Sequence, residues 1–271
     1  MPPLFTMIKP VSGVCNMRCA YCFYRDVAEH RAVASYGVMD DGTLEVLVRR
    51  AFAYAEGSVS FAFQGGEPTL AGLAFFEKLV RLQSQYEKRG LQVHNAIQTN
   101  GLAIDDAFAA FLAKHHFLVG LSIDGTQSSH DALRLDMQNS GTFDRVMQAA
   151  SILRNHRVET NILCVVTAQI AAEPEKPFEA LSPFGYVQYI PCLDGFDGTK
   201  SAYSLSPLQY GEFLIKTFAL YERSYRREKP VSIRAFDNYL QMIAGYPPEH
   251  CGMSGRCGSY FLIESDGSVY P

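Results

Sequence analysis

No stretch of the sequence is apolar for long enough to cross a bilayer. In a chain of 271 residues the longest runs, such as Phe117 to Ile123, fall well short of the ~20 residues that a spanning helix needs. The N-terminal MPPLFTMIKP lacks the basic stretch and long apolar run of a secretory signal. There is no surplus of cations either. Lys and Arg number 24 against 28 Asp and Glu, for a formal net charge of -4, which argues against a general nucleic-acid binder that must neutralise phosphates. Low-complexity tracts and short internal repeats are missing as well. What remains is a globular composition, 48% hydrophobic and 19% charged, long enough for one large domain or two small ones.

The seven cysteines are an odd number and unevenly placed. Cys15, Cys19 and Cys22 crowd together near the N-terminus, Cys164 and Cys192 stand alone, and Cys251 and Cys257 form a loose pair near the end. A disulfide framework suits small secreted domains without a core. A chain of this size with no export signal points instead to metal ligands or redox groups.

Apolar, β-branched runs alternate with helical patterns. Strands are expected at Phe5–Val11, Val59–Gln64, Gln92–Thr99, Phe117–Ile123, Glu159–Val166 and Tyr186–Pro191. Amphipathic helices are expected at Thr43–Glu56, Leu73–Lys88, Asp105–His115, Phe143–Asn155 and Pro207–Arg227, with a weaker one at Glu173–Leu181 that holds Pro174 and Pro177. This order implies parallel βαβ units and an open or incomplete six-stranded barrel. After about Tyr225 the rhythm changes to short strand-like pieces among glycines, which reads as the start of a second module. A module that stops at Pro271, directly after a hairpin strand, looks unfinished, and the sequence is expected to be a fragment.

The run Cys15-Asn16-Met17-Arg18-Cys19-Ala20-Tyr21-Cys22 follows the first strand directly. Such spacing lets three thiolates meet on one small object. A structural zinc site and a cubane iron–sulfur cluster each take four protein ligands. Three leave one metal position open, and an open position is where a metal binds substrate. The alternative at this point is a zinc site completed by a distant residue such as His30. Aromatic Tyr21, Phe23 and Tyr24 flank the last cysteine, as suits a centre shielded from water.

CxxxCxYC after the first strand, with Gln64-Gly65-Gly66-Glu67-Pro68 after the second, resembles the radical S-adenosylmethionine (SAM) superfamily. The resemblance implies a partial (β/α)6 TIM-like barrel and a [4Fe–4S] cluster on Cys15, Cys19 and Cys22. It also implies that the open iron chelates SAM, which is cleaved to a 5′-deoxyadenosyl radical. It assigns Tyr21, Gly66, Ser122 and Arg134 to SAM, and Leu193 to the adenine end. From the residues alone, the glycine pair is an ordinary turn and Arg134 a surface cation.

The ordered motifs SFAFQGGEPTLAGL, AIQTNG, FLVGLSIDG, NILCVVT, YIPCLD, VSIRAFD and CGMSGRC…ESDGSVYP resemble the anaerobic sulfatase-maturating enzymes over essentially the whole chain. These oxidise an active-site Cys or Ser of a sulfatase to Cα-formylglycine. Tyr24 and Gln64, beside the cysteine loop and the glycine pair, are expected to line the gap between SAM and the peptide, with Asn100 a further candidate. Cys251 and Cys257 resemble the first ligands of an auxiliary cluster in a SPASM extension. The expected division is therefore a radical SAM core over 1–230 and the beginning of the auxiliary-cluster module over 231–271. The family's third auxiliary ligand and its base would fall just beyond Pro271, so the isolated chain is expected to cleave SAM but to be defective in formylglycine formation. Cys164 and Cys192 are expected to be buried structural thiols. The implied partners are a sulfatase polypeptide and a reduced flavodoxin or ferredoxin-type donor, in the cytoplasm, with neither nucleic acid nor membrane. Competing readings are another SPASM peptide maturase forming thioether or carbon–carbon links, a non-catalytic zinc module, and a SAM-dependent methyltransferase.

Overall fold

The computed structural model describes residues 3–195, 198–249, 253 and 260–271, without the side chain of Asp26. Nine strands form one sheet: β1 (Leu4–Ile8), β2 (Ser58–Phe63), β3 (Gln92–Thr99), β4 (Phe117–Ser122), β5 (Thr160–Val166), β6 (Tyr186–Pro191), β7 (Ser232–Ile233), β8 (Tyr260–Ile263) and β9 (Val269–Tyr270). Their order is β7-β6-β5-β4-β3-β2-β1-β8-β9. Every neighbouring pair is parallel except β8 and β9. The six expected strands are all present, in the order that successive right-handed βαβ units produce.

Side chains alternate across each strand. One set, including Ile8, Phe61, Phe63, Ile97 and Val119, is buried beneath the helices. Phe63, Phe75, Phe76, Phe108 and Phe117 meet edge to face there, with Phe63 and Phe76 centroids 5.2 Å apart. The alternate set, with Met7, Gln64, Gln98, Asn161 and Gln188, faces a cavity of about 1260 Å³ on the sheet's inner side. The sheet thus has an apolar outside and an inside partly lined by amides.

The Asp41–Tyr54 helix begins where the Asp40 carboxylate accepts the Thr43 N–H at 2.7 Å. It buries Leu44, Leu47, Val48, Ala51 and Phe52 at helical spacing. The helix expected at 173–181 is present as Glu175–Leu181, and a separate short helix that was not expected, Ala168–Ala172, precedes it. Pro174 caps Glu175–Leu181 and Pro177 lies in its first turn, where no intrahelical N–H bond is lost. Three further helices, Phe23–His30, Gln127–Leu133 and Arg234–Ile243, were not anticipated.

The division expected at 230/231 is not marked by a gap in the sheet. β7 extends the β6 edge, and β8 covers the β1 edge in register Phe5↔Tyr260 to Ile8↔Ile263. An uncovered β1 would leave a row of unpaired backbone groups. Glu264 locks this end of β8. Its carboxylate receives Lys9 Nζ and Arg31 Nη1, each at 2.8 Å, and is 1% exposed. Burial alone would raise the pKa of Glu264, but the bonds from Lys9 and Arg31 outweigh it and hold the value below normal. Its stabilisation is therefore complete above the unfolded-state pKa of about 4.3 and is lost as pH falls through the lower folded value. Glu264→Gln, which strands two cations, is expected to cost about 3 kcal/mol near neutrality. The urea-midpoint gap between variant and wild type should close as the pH drops from about 6 to 3. A gap independent of pH would remove the carboxylate from this role.

Candidate functional site

The cysteine loop leaves the C-terminal end of β1, the end at which parallel α/β folds gather ligands. Backbone bonds clamp it from two sides. Glu67 N–H donates to the Val14 carbonyl at 2.8 Å, Arg18 N–H to Leu135 at 2.7 Å, and Ala20 N–H to Leu133 at 2.9 Å. The Tyr203 hydroxyl donates to the Ala20 carbonyl at 2.8 Å. Gly66 sits against this loop with φ +55°, where a Cβ would lie 2.3 Å from the Val14 oxygen. No side chain fits there, which accounts for the glycine.

Cys15, Cys19 and Cys22 are unpaired and half-buried. Burial pushes the Cys15 thiol up to about 11, and the charges of Glu67, Cys19 and Cys22 add to this, with the Met17 N–H opposing. Burial likewise raises Cys19, and the Arg134 guanidinium opposes it. Three half-buried thiols on one loop are a donor set suited to a cationic metal centre. No group of three or more His, Cys, Asp or Glu among the described residues is gathered closely enough to hold a single metal ion. A zinc ion holds each thiolate at about 2.3 Å and needs such an approach. Thiolates on separate corners of a four-iron cube do not.

Glu67 ties β2 to β3 behind the glycines. Buried at 1% exposure, it accepts Thr69 N at 3.1 Å, Thr69 Oγ1 at 2.6 Å, Thr99 Oγ1 at 2.7 Å and Asn100 N at 2.7 Å. Asn100 is turned toward the cysteine loop: its Nδ2 donates to Asn16 Oδ1 at 2.7 Å and lies 3.7 Å from Cys15 Sγ. It braces the loop.

Tyr21 and Arg134 are brought together. Arg134 Nη1 donates to the Tyr21 hydroxyl at 2.8 Å, and that hydroxyl donates to Asp124 Oδ2. Arg134 is buried, not the surface cation its sequence context suggests, and its Nε has no partner. An unsatisfied buried guanidinium N–H is a costly feature that an anionic ligand would relieve. Ser122 ends β4 beside Leu163 of β5. Leu193, 59% exposed, lines a cavity of about 250 Å³ with Tyr21, Cys22, Tyr203 and Asp194. One buried oxygen of Asp194 also lacks a partner. These features fit a polar cofactor with a carboxylate at one end and a flat polar ring at the other.

Gln64 Nε2 donates to the Tyr24 hydroxyl, and Gln64 borders the large inner cavity. Burial pushes the Tyr24 phenol up to about 12, the Gln64 bond opposing, so the hydroxyl keeps its proton. Lys9 Nζ stands 5.8 Å from the Tyr24 ring centroid. Cys164 and Cys192 are buried in or beside strands, as expected. Cys251 and Cys257 lie outside the described residues.

Asp124, Glu67, Lys9 and Glu264 were not singled out as site residues. Asp124-Gly125 reads as a turn. The available signal was an acid closing an otherwise apolar run, Phe117–Ile123, at a ligand-binding strand end.

Residues 10–176 match the radical SAM superfamily. The chain is 45% identical over its whole length to a cysteine-type anaerobic sulfatase-maturating enzyme of Clostridium perfringens, 74% of whose length it covers. It is 31% identical to a serine-type anaerobic sulfatase-maturating enzyme of Klebsiella aerogenes, over 99% of this chain and 66% of that one. Among solved structures, native anSMEcpe with bound AdoMet and Cp18Cys peptide superposes with a TM-score of 0.93 at 44% identity, covering 100% of this chain and 74% of that one.

Proposed function

The chain belongs to the radical SAM superfamily and, within it, to the anaerobic sulfatase-maturating enzymes, and from that premise we propose that Cys15, Cys19 and Cys22 hold the [4Fe–4S] cluster and that Tyr21, Gly66, Ser122, Arg134 and Leu193 contact SAM. The reaction is the conversion of a sulfatase Cys or Ser to Cα-formylglycine. When bound, the cluster and SAM supply a 5′-deoxyadenosyl radical that takes a hydrogen atom from the substrate Cβ. The observation that carries the residue assignment is the convergence of the three-thiol loop, the Gly66 backbone packed against Val14, and the buried Arg134–Tyr21 pair, with Tyr21 and Cys22 lining the smaller cavity.

The chain's own residues supply placement. Gly66 lets the strand end approach the cofactor closely. Arg134 presents a planar fork suited to a carboxylate. Tyr24, protonated and bonded by Gln64, offers a donor beside the Gln64 side chain that borders the cavity, where the peptide's reactive residue is held against the radical. Higher identity to cysteine-type relatives, 45% and 42% against 31%, favours a cysteine as the target. Loss of one more electron and of the thiol proton gives a thioaldehyde, which water converts to the aldehyde with release of hydrogen sulfide; an iron–sulfur centre, when bound, would supply the electron acceptor. A reduced flavodoxin or ferredoxin-type protein is the proposed donor. No helix among the described residues is long and apolar enough to cross a membrane, and an oxygen-sensitive cluster suits the cytoplasm.

The test is anaerobic incubation of the reconstituted protein, as the whole gene product rather than the isolated 271-residue chain, with SAM, reductant and paired peptides carrying Cys or Ser before x-Pro-x-Arg. The expected result is an aldehyde-reactive peptide and 5′-deoxyadenosine in step, faster with Cys. A thioether or carbon–carbon cross-link without aldehyde would overturn the reading. Tyr24→Phe is expected to lower peptide oxidation by about 10- to 100-fold while SAM cleavage continues. Equal loss of both products would place Tyr24 in SAM binding instead.

A further inference from the structure

Asp124 closes β4 at 1% exposure. Its Oδ1 accepts the backbone N–H of Val165 in β5 at 2.9 Å. Its Oδ2 accepts the Tyr21 hydroxyl and lies 3.7 Å from Arg134 Nη1. Since Arg134 Nη1 also donates to that hydroxyl at 2.8 Å, the proton order around Tyr21 is fixed: guanidinium to phenol to carboxylate. An amide could accept only one of the two bonds, from Tyr21 or from Val165, and it would leave a buried cation without its counter-charge.

A second connection runs behind the first. Asp124 N–H donates to His130 Nδ1 at 3.2 Å, so Nδ1 is the bare nitrogen. His130 Nε2 then carries the hydrogen and faces Thr142 Oγ1 at 3.1 Å, and that hydroxyl donates to the Arg134 carbonyl at 2.9 Å. His130 is fully buried, and burial, with Arg134 adding, holds its pKa down to about 3. A neutral ring in one tautomer therefore links the backbone of Asp124 to the backbone of Arg134. Side chain and main chain of Arg134 are both referred to the same acid, and its Nε remains without a partner.

We propose that Asp124 is a positioning residue for SAM: with Tyr21, and through His130 and Thr142, it fixes the Arg134 guanidinium so that its unused N–H edge meets the SAM carboxylate. This rests on the reading that Arg134 binds that carboxylate. A lone arginine on a flexible stem must be ordered when the ligand arrives, whereas one already anchored presents its fork without that cost. The pairing also keeps the empty pocket close to neutral, so recognition depends on the direction of the N–H groups rather than on net charge.

The experiment measures affinity without turnover. The full chain, its cluster reconstituted anaerobically and kept oxidised, is titrated calorimetrically with SAM and with decarboxylated SAM, which lacks the carboxylate. Asp124→Asn and Thr142→Val are each expected to weaken SAM about tenfold or more while decarboxylated SAM changes by less than about twofold, the loss expected for one charge-assisted grip. Equal weakening of both ligands would make Asp124 a general support of the pocket and overturn the proposal. So would unchanged SAM affinity in Asp124→Asn. Arg134→Met separates the two layers: if it fails to lose SAM selectively, the reading of Arg134 is what fails. If it does lose SAM selectively and the Asp124 and Thr142 variants do not, only the positioning role falls. Should Asp124→Asn lose its iron or fail to fold, Thr142→Val, which leaves every charge in place, carries the test.

Discussion

Cys19→Ala is expected to abolish reductive cleavage of SAM, lowering 5′-deoxyadenosine formation by about 10⁴-fold or more, a barrier increase of about 5.5 kcal/mol. The loop holds three thiols and no fourth, so losing one leaves a cluster bound by two. The Arg134 guanidinium opposes the effect of burial on the Cys19 thiol. The measurement pairs iron and sulfide content with 5′-deoxyadenosine yield under dithionite. Cys164→Ala is the control. That thiol is fully buried in β5, and burial raises its pKa well above normal, so its loss should leave cleavage within about fivefold of wild type. Near-normal cleavage in Cys19→Ala would remove the cluster assignment and everything built on it.

Gly66→Ala should have the second-largest effect. The added methyl would stand 2.3 Å from the Val14 carbonyl oxygen and 3.0 Å from that of Ser12, both backbone atoms, at a φ of +55°. Neither neighbour can rotate away. Relief requires moving the start of the cysteine loop or the Glu67 junction, whose N–H bond to Val14 is 2.8 Å. A stability loss of about 2–4 kcal/mol is expected from strain and overlap together. Displacing the loop by even a fraction of an ångström should cost about 10²-fold or more in peptide oxidation. Gly72→Ala separates the two causes. Gly72 has φ +81° and ψ 158° but nothing within 4 Å of a Cβ, so it should lose about 1–3 kcal/mol from backbone strain alone and keep its activity. If both variants behave alike, the close approach at Gly66 has no functional weight.

The parts of the fold legible in the sequence were those with a strong period. β3 and the Phe143–Asn155 helix fall at the expected residues, and the other long elements within a few positions. What escaped was short or depended on distant partners. The Gln127–Leu133 helix has seven residues and a single buried side chain, His130, too little for a helical period to register. β8 has four residues, and nothing local says that Tyr260 will lie beside Phe5. The site divides in the same way. The three cysteines and the glycine pair are contiguous motifs. The Lys9–Glu264 pair joins residues 255 positions apart, and Asp124 meets Tyr21 across 103. Charges read singly look like solvated surface, and only the fold shows that they are buried and matched. The position of Asn100 at a strand end was read correctly, and the fold adds that its amide is aimed at Asn16.

Among the described residues the sheet does not close on itself: its outermost strands, β7 and β9, are not paired with each other. An open flank of this kind can take a bight of chain with both ends trailing into solvent, so a residue need not lie near a terminus to reach the amide-lined hollow.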